Sequence, residues 1–447
     1  MVGKERIWGI AEAVLAQSRA DQTEICVMVD DQWLTRFSDN HIHQNVNEAD
    51  HRIAVRTVLG QKAGTASTNS LDTPSVLDAV LRALAQTRLL PDDPEFAGLP
   101  ATGRAPEIDA FDQATADMSS EDRADAVSGI VGAAKQKGLT AYGFYSTSIA
   151  EIAIANSLGT RAYHAGTEAD CMAIVTGRDS SGYARFLSRR ADGIDTASIA
   201  ATAIAKCRDA ANPRPLVPGE YEVVLEEDAV SDLVSSIGMG FDASAVREGR
   251  SPFSAKVGQK VAGSNVTVRD DGSSLDGLPL PFDFEGRPRK QLVLVDHGVI
   301  TGLVYDSKTA AKEGKEPTGH ALPGFARGMG LRALPIHVFV EPGTATLKDM
   351  IESTKKGILV TRFWYNRTIH PLKTIITGMT RDGAFYVENG EIKYPILNLR
   401  YTQSVLEALN NVEMLGRVPK LRSMYFGALS VPAMKISRFT FTGTTEH

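Results

Sequence analysis

The chain has 447 residues, which is too many for one ordinary hydrophobic core, so two or three domains are expected. Hydrophobic residues make up 43% and charged residues 23%, as in soluble globular proteins, and the net charge of −6 gives no electrostatic reason to expect nucleic acid binding. No stretch approaches about 18 consecutive apolar residues, and the N-terminal amphipathic helix carries internal charges. Neither a membrane span nor a signal peptide is predicted, and a cytoplasmic location is expected.

Three cysteines, Cys26, Cys171 and Cys207, are spread along the chain, and none forms a C-x-x-C pair. Free cysteine usually behaves as a small buried hydrophobe, so we predict buried thiols in a reducing compartment. Distant metal ligands are the alternative.

The first half of the sequence alternates between strand pairs and helices. One pair is centred on Asp30-Asp31, and the next turns near Leu59-Gly60. Asp72 can cap the following helix, a second helix is predicted over 120–138, and a later strand pair is predicted to turn around Gly182. This order predicts an α+β fold, with antiparallel sheets and flanking helices.

The stretch ANPRPLVPGEY, 211–221, carries three prolines and is the best candidate for a domain boundary. We therefore predict an N-terminal α+β domain over 1–215 and a C-terminal α+β domain, rich in antiparallel sheet, over 216–447.

The second domain opens with a strand and then a predicted helix over 226–246. Its apolar residues follow helical spacing: Val230, Leu233, Val234, Ile237 and Phe241. Two hairpins follow, one turning at Asp296-His297-Gly298 and one at Asn389-Gly390, a pair suited to a type I′ turn.

Several histidines are candidates for chemistry. His41 and His43 form an H-x-H on one face of a predicted strand, near His51, which suits either a metal site or a polar sheet face. His297 lies in a hairpin turn, where a structural role is expected. His320 follows a glycine in a loop that could approach a ligand, and His370 precedes a proline.

The segment RFWYNR, 362–367, brackets three aromatic residues and an amide between two arginines. Strand alternation would place Phe363 and Tyr365 on one face and Arg362, Trp364 and Asn366 on the other. Arginine and tryptophan facing a cleft can bind a carboxylate or a peptide. The alternative is a sheet with aromatic cross-strand pairs and exposed arginines.

A set of motifs in a fixed order resembles the TldD/PmbA family, in which PmbA is also called TldE. The motifs run through nearly the whole chain: NHIHQNV, GTASTN, ANSLGTRAY, EGRSPFSAKVGQKVAGSNVTVRDDG, FDFEGRPRKQLVLVDHGVITGLVYDSKTAAKEG and TGMTRDGAFYVENGEI. The resemblance implies a two-domain α+β fold that encloses a cavity at a dimer, and membership of a zinc-peptidase system.

The resemblance also implies which subunit this chain is. The TldD subunit carries H-E-x-x-x-H on a helix and a cysteine near its C-terminus, whereas the TldE/PmbA subunit lacks these zinc ligands. Counting back from SPFSAKVG places the two histidine positions on Val234 and Met239 and the glutamate position on Ser235. Valine cannot ligate zinc, methionine is a poor ligand for zinc hydrolysis, and serine is no base at neutral pH. No cysteine follows Cys207.

The chain therefore resembles the non-catalytic subunit, without a cofactor of its own. It would form a heterodimer with a TldD-like partner that carries zinc, or a homodimer when alone, and the pair would degrade or trim unfolded peptides or the precursors of natural products. His320 departs from the family, which has an asparagine there. Alternatives are a stand-alone hydrolase with a rearranged site in the same cavity and a regulatory binding module. Residues expected to line the peptide cavity are His320, Arg362, Trp364, Asn366, Arg367, His370, Thr380 and Arg381.

Overall fold

The predicted α+β class is confirmed by a computed structural model with three mainly antiparallel sheets and helices packed against them. The structure describes residues 1–424 and 426–445, with the backbone alone for 327–329. In this part of the chain, no helix is long and apolar enough to cross a membrane.

The first sheet is built from the N-terminal half and is antiparallel throughout, in the order β3-β2-β1-β4-β5-β6. Its strands are β1 Gln22–Ser38, β2 His41–Leu59, β3 Lys62–Thr68, β4 Thr140–Asn156, β5 Arg161–Thr176 and β6 Ser181–Ser188. The accompanying helices are α1 Lys4–Leu15, α2 Thr73–Leu89, α3 Gln113–Ala116, α4 Ser120–Gln136 and α5 Thr196–Asp209.

Strand alternation decides what covers each face of this sheet. On β1, Ile25, Val27 and Val29 are buried in one core with α1 and α2. The intervening Cys26 packs instead against Phe282 and Phe284 of the C-terminal half. Helices therefore cover one face, and the other face meets the C-terminal domain.

Two predictions in this half are wrong, namely the strand pair centred on Asp30-Asp31 and the turn around Gly182. Asp30-Asp31 lies inside the continuous strand β1, where both residues pair with β2 and β4, and Asp31 accepts a hydrogen bond from the N-terminal ammonium. Gly182 also lies inside a strand, β6, and α5 passes so close to it that an added Cβ would lie 2.1 Å from the Ala203 carbonyl oxygen. Tertiary contacts override the local turn preference at both places.

The C-terminal half forms the other two sheets. Its strands are β7 Glu220–Leu225, β8 Val268–Asp270, β9 Leu292–Asp296, β10 Val299–Ile300, β11 His337–Val340, β12 Lys356–His370, β13 Ile375–Glu388, β14 Glu391–Pro395, β15 Leu399–Ser404, β16 Val412–Leu415, β17 Lys420–Ser423, β18 Ala428–Val431 and β19 Met434–Thr444. Its helices are α6 Glu227–Ile237, α7 Ala243–Arg247, α8 Ser307–Glu313, α9 Leu347–Glu352 and α10 Val405–Asn410.

Among the described residues, the second sheet has the order β10-β9-β8-β11-β18-β17. The third has the order β12-β7-β19-β15-β13-β14, with β16 paired to β19 and β12 paired also to β13. The largest hydrophobic core joins these sheets to α6, through Val230, Leu233, Val234 and Ile237. α6 is therefore a packing element of the C-terminal domain.

The helix predicted over 226–246 is interrupted. α6 ends at Ile237, a 3₁₀ turn covers Gly238–Phe241, and α7 begins at Ala243. An added Cβ on Gly240 would lie 2.7 Å from the Phe253 ring, so the backbone approaches this aromatic side chain too closely for a larger residue.

Candidate functional site

The positions that the resemblance assigns to zinc ligands do not form a metal site. Val234 is buried at 5% exposure, whereas Met239, beyond the end of α6, is 53% exposed. Ser235 is exposed, and its hydroxyl donates to the Asp232 carbonyl at 3.2 Å. No three His, Cys, Asp or Glu side chains of residues 1–424 and 426–445 gather as ligands for a metal ion. The residues present do not fit zinc.

The acidic side chains of α6 and its N-cap bind neighbouring elements. Glu226 pairs with Lys206 of α5, and Glu227 with Lys420 of β17 at 2.9 Å. Asp228 accepts hydrogen bonds from the Tyr183 hydroxyl on β6 at 3.0 Å and from the Arg422 guanidinium on β17. These contacts join α6 to both halves of the chain.

Asp232, one turn further along α6, is an exception because no cation forms an ion pair with it in the described structure. Desolvation raises its pKa to about 7, although a hydrogen bond with Asn366 and the charge of Arg362 act in the opposite direction. The Asn366 side-chain oxygen also accepts a hydrogen bond from the Tyr401 hydroxyl at 2.7 Å. Two predicted site residues, Arg362 and Asn366, thus lie next to α6.

The alternation predicted for RFWYNR holds only for its first residues. Phe363 is buried, but Tyr365 has a positive φ of 57° at an irregularity in the pairing of β12 with β13, and it is exposed. A bulge of this kind redirects side chains, so Phe363 and Tyr365 do not share a face. Trp364 is 48% exposed, and Arg367 lies over the Tyr365 ring at 4.9 Å.

Arg362 is held by its neighbours rather than free. Its Nε donates to Asp382 at 2.6 Å, and its guanidinium lies 4.6 Å from the Tyr183 ring centre and 4.9 Å from that of Trp364. This arginine links β12 to the first sheet.

His320 is fully buried and therefore does not line a cavity. Its Nε2 is 2.9 Å from Asp270 Oδ1, and its Nδ1 is 2.9 Å from the Thr318 carbonyl oxygen. Burial acts to raise the Asp270 pKa, but the adjacent His320 outweighs it and holds this pKa well below its usual range. The pair is a structural element of the C-terminal core.

The remaining predicted site residues have separate positions. Thr380 is buried and accepts a hydrogen bond from the Leu399 N–H at 3.0 Å. His370 caps a 3₁₀ turn by accepting from the Lys373 N–H at 3.4 Å. Arg381 is partly exposed beside Asp382. The structure does not gather these three into one polar site.

Of the other candidate histidines, His41, His43 and His297 are exposed and His51 is half-buried. His41 and His43 lie at the start of β2, where the Nδ1 of His41 is 2.7 Å from the Asp39 carbonyl oxygen. His297 lies in the predicted turn with φ of 46°, beside Asp296. All three cysteines are unpaired and buried, as predicted.

A cleft of about 400 Å³ lies between the helix-free face of the first sheet and the second sheet. Its polar lining includes side chains from β1, β4, β5 and β11 and from the segment after β6: Asp30, Gln32, Ser148, His164, Glu168, Arg189 and His337. Such a concave site between domains, with a few polar groups, is a common place for ligands.

The cleft contains unusual titratable groups. Desolvation raises the pKa of Glu168 to about 7, and burial lowers the pKa of His164 to about 4 and that of His337 to about 3. One ring nitrogen of each histidine, His164 Nε2 and His337 Nδ1, has no hydrogen-bond partner among the described residues. Several titratable groups with shifted pKa values in one cleft are typical of functional sites.

α6 contacts this cleft through Met424. Met424 lines the cleft and also a small apolar pocket formed by Val234, Ser235 and Ile237. Two of the three positions in the family's zinc motif, Val234 and Ser235, therefore line an apolar pocket next to the cleft, and Met239 does not.

Sequence reasoning did not single out His164, Glu168, Arg189 or His337. His164 and Glu168 are four residues apart on β5, so strand alternation places them on one face. That signal was present in the sequence, but it did not indicate which face would meet the other domain.

Models of three PmbA/TldA metallopeptidase domains match successive parts of the chain. Domain 1 matches 24–87, the central domain matches 109–211, and the C-terminal domain matches 218–443.

Individual relatives agree with these matches. A metalloprotease of Methanothermobacter thermautotrophicus is 28% identical over 46% of this chain and 44% of its own length, so the chain matches about half of that relative. Metalloprotease PmbA of Escherichia coli O157:H7 is 22% identical over 95% of this chain and 94% of that protein.

The fold has a close counterpart among solved structures. TldE from Thermococcus kodakarensis superposes with a TM-score of 0.86 at 22% identity, covering 98% of this chain and 99% of that one. At this identity the likeness concerns the fold. Together with the three domain matches, which span most of the sequence in order, these findings show that the chain belongs to the PmbA/TldD metallopeptidase family.

Proposed function

We propose that this chain is the non-catalytic, TldE/PmbA-like subunit of a zinc metallopeptidase, and that a TldD-like partner carries the zinc. The observation that carries the proposal is the identity and placement of Val234, Ser235 and Met239. None of them suits zinc hydrolysis, and the first is buried whereas the last is exposed. The substrates would be unfolded peptides or peptide precursors.

The end of β12 supports a role in contacting a peptide or a partner. β7 pairs with β12 only over Gly357–Val360, so beyond this stretch one edge of β12 has no strand partner in the described part of the chain. Trp364, Tyr365 and Ile369 are exposed there. An open strand edge beside aromatic side chains suits the addition of an extended peptide.

A mixing experiment tests the proposal. The purified chain and the TldD-like protein of its own host would be assayed separately and together for bound zinc and for hydrolysis of an unfolded peptide. We expect zinc in the partner only and hydrolysis by the mixture only. Stoichiometric zinc in this chain, or hydrolysis by it alone, would refute the proposal.

A matched pair of variants tests the role of β12 in the mixture. Trp364→Ala should lower the activity of the mixture about tenfold or more, because it removes an exposed aromatic anchor. Leu89→Ala, which removes an 87% exposed apolar side chain from α2, is the control and should leave this activity unchanged. Equal activities of the two mixtures would show that Trp364 on β12 does not contribute to contacting a peptide or a partner.

A stand-alone hydrolase is the second candidate. It is favoured by the neutral imidazoles of His164 and His337 in the same cleft as Glu168, because such groups can act as acids and bases. It predicts peptide hydrolysis by the isolated chain and loss of that activity in His164→Ala. Absence of turnover by the isolated chain would reject it.

A further inference from the structure

Glu168 is a carboxylate without a partner in the wall of the cleft. No hydrogen bond or ion pair joins its side chain to another group within residues 1–424 and 426–445, and the nearby charges acting on it are Asp170, Arg185 and Asp30. The two nearest acids differ, because Asp170 is paired with Arg185 at 2.5 Å whereas Asp30 has no ion pair in the described structure. Among the described residues, the cleft thus contains two carboxylates, Glu168 and Asp30, that form no ion pair.

Glu168 belongs to a row of polar side chains across the sheet. Gln32 on β1 is in register with Ser148 on β4, which is in register with Glu168 on β5. Neighbouring strands are about 4.8 Å apart, so the three side chains present oxygen atoms at regular intervals on one face. Asp30 lies on the same face of β1, two residues from Gln32.

The cleft also contains acceptors that carry no charge. His164 and His337 are 7% and 3% exposed, and each has one ring nitrogen that no described residue hydrogen-bonds. Burial lowers both of their pKa values, so the rings are neutral at pH 7 and do not compensate Glu168. A neutral imidazole can accept one hydrogen bond.

We propose that this cleft binds a protonated primary amine, with the ammonium group against Glu168 and Asp30. An ammonium has three donors and one positive charge, which match several oxygen acceptors and uncompensated carboxylates. A metal ion is disfavoured, because the described residues bring no three metal-ligating side chains together. An anion is disfavoured because, among the described residues that line the cleft, two carboxylates without an ion pair stand against one guanidinium, that of Arg189.

Two sources could supply the amine. One is the amino terminus of a peptide, in which case the inference rests on the proposed function and states how that peptide is oriented. The other is a small free diamine. The ammonium chemistry is the same, and the source is distinguished by the probe.

Calorimetric titration of the full-length chain alone, at pH 8, tests the proposal. The probes are trialanine, N-acetyl-trialanine and putrescine. We expect trialanine or putrescine to bind, and acetylation of trialanine to weaken its binding about tenfold or more. Glu168→Gln should weaken the binding of the amine by a similar factor, and Asp30→Asn provides a second variant in case the first does not fold. Glu12→Gln makes the same chemical change on α1, across the sheet, and should bind as the unaltered chain does.

The outcomes are separable. Binding of trialanine but not of its acetylated form identifies a peptide amino terminus, and binding of putrescine alone identifies a small diamine. No binding of either amine, equal binding of the acetylated peptide, or unchanged binding by folded Glu168→Gln would overturn the proposal. Since no partner is present, these results are independent of the mixing experiment that tests the subunit role.

Discussion

Arg422 on β17 holds Asp228 on α6 in a two-point ion pair, with Nε–Oδ1 at 2.7 Å and Nη2–Oδ2 at 2.5 Å. The Tyr183 hydroxyl of the first sheet donates to the same carboxylate. One acidic side chain thus connects α6 to the second sheet and to the N-terminal domain, which makes the acidic start of this helix a structural feature.

Removing this arginine should destabilise the fold strongly. The Arg422 side chain is 4% exposed, so Arg422→Met leaves the Asp228 charge largely buried and unpaired, and we expect a loss of about 3–5 kcal/mol in the free energy of unfolding. Urea denaturation measures it. The control is Arg190→Met, whose pair with Asp192 is exposed to solvent, so its loss should change the free energy of unfolding far less. Similar losses of stability in both variants would contradict the structural role of the Arg422–Asp228 pair.

The acid Asp232 should make stability depend on pH. Its pKa is raised from the ordinary value of 3.8 to about 7 by desolvation, so between these values the folded chain holds a proton that the unfolded chain releases. The contribution of this group to the free energy of unfolding is therefore largest below about pH 4 and falls as the pH rises through about 7.

Asp232→Asn should flatten this slope and raise stability at pH 8, since the buried charge is removed. Asp125→Asn, an exposed change on α4, is the control. The free energy of unfolding of each protein is measured by urea denaturation between about pH 4 and about pH 8, which spans the shift. Parallel profiles for Asp232→Asn and the unaltered chain would show that Asp232 does not titrate in this way.

Restoring the family's motif should not restore zinc binding. In the triple variant Val234→His, Ser235→Glu, Met239→His, one imidazole would start from a buried position and the other from an exposed one beyond the end of α6. The two side chains start from different environments, and no cysteine follows Cys207 to complete the ligand set. Elemental analysis should find no stoichiometric zinc in the variant, and one zinc per chain would contradict this placement.

The contact between α5 and β6 should tolerate no side chain at Gly182. An added Cβ would lie 2.1 Å from the Ala203 carbonyl oxygen, so Gly182→Ala should lower the free energy of unfolding by about 1–3 kcal/mol or more. Gly129→Ala, on the exposed face of α4 with open space around it, should instead raise it by about 0.5–1 kcal/mol. Equal changes in the free energy of unfolding for the two variants would contradict the close approach of α5 to β6.

Local features of the fold were predictable because they depend on residues a few positions apart. Asp72 caps α2 by accepting from the Ser75 N–H at 2.8 Å, and Asn389 and Gly390 have the positive φ angles, 52° and 79°, that their turn requires. Asp30-Asp31 and Tyr365 were mispredicted, because strand neighbours from distant segments set their conformation.

Residue identity alone decided that Val234, Ser235 and Met239 cannot form a zinc site, since ligation depends on the chemistry of the side chain. Only the tertiary structure decided that the first is buried and the last exposed. It also decided that Glu168, from the first sheet, and His337, from the second, share one cleft. Strand alternation predicts which side chains share a face, but which faces meet depends on packing between segments far apart in the chain.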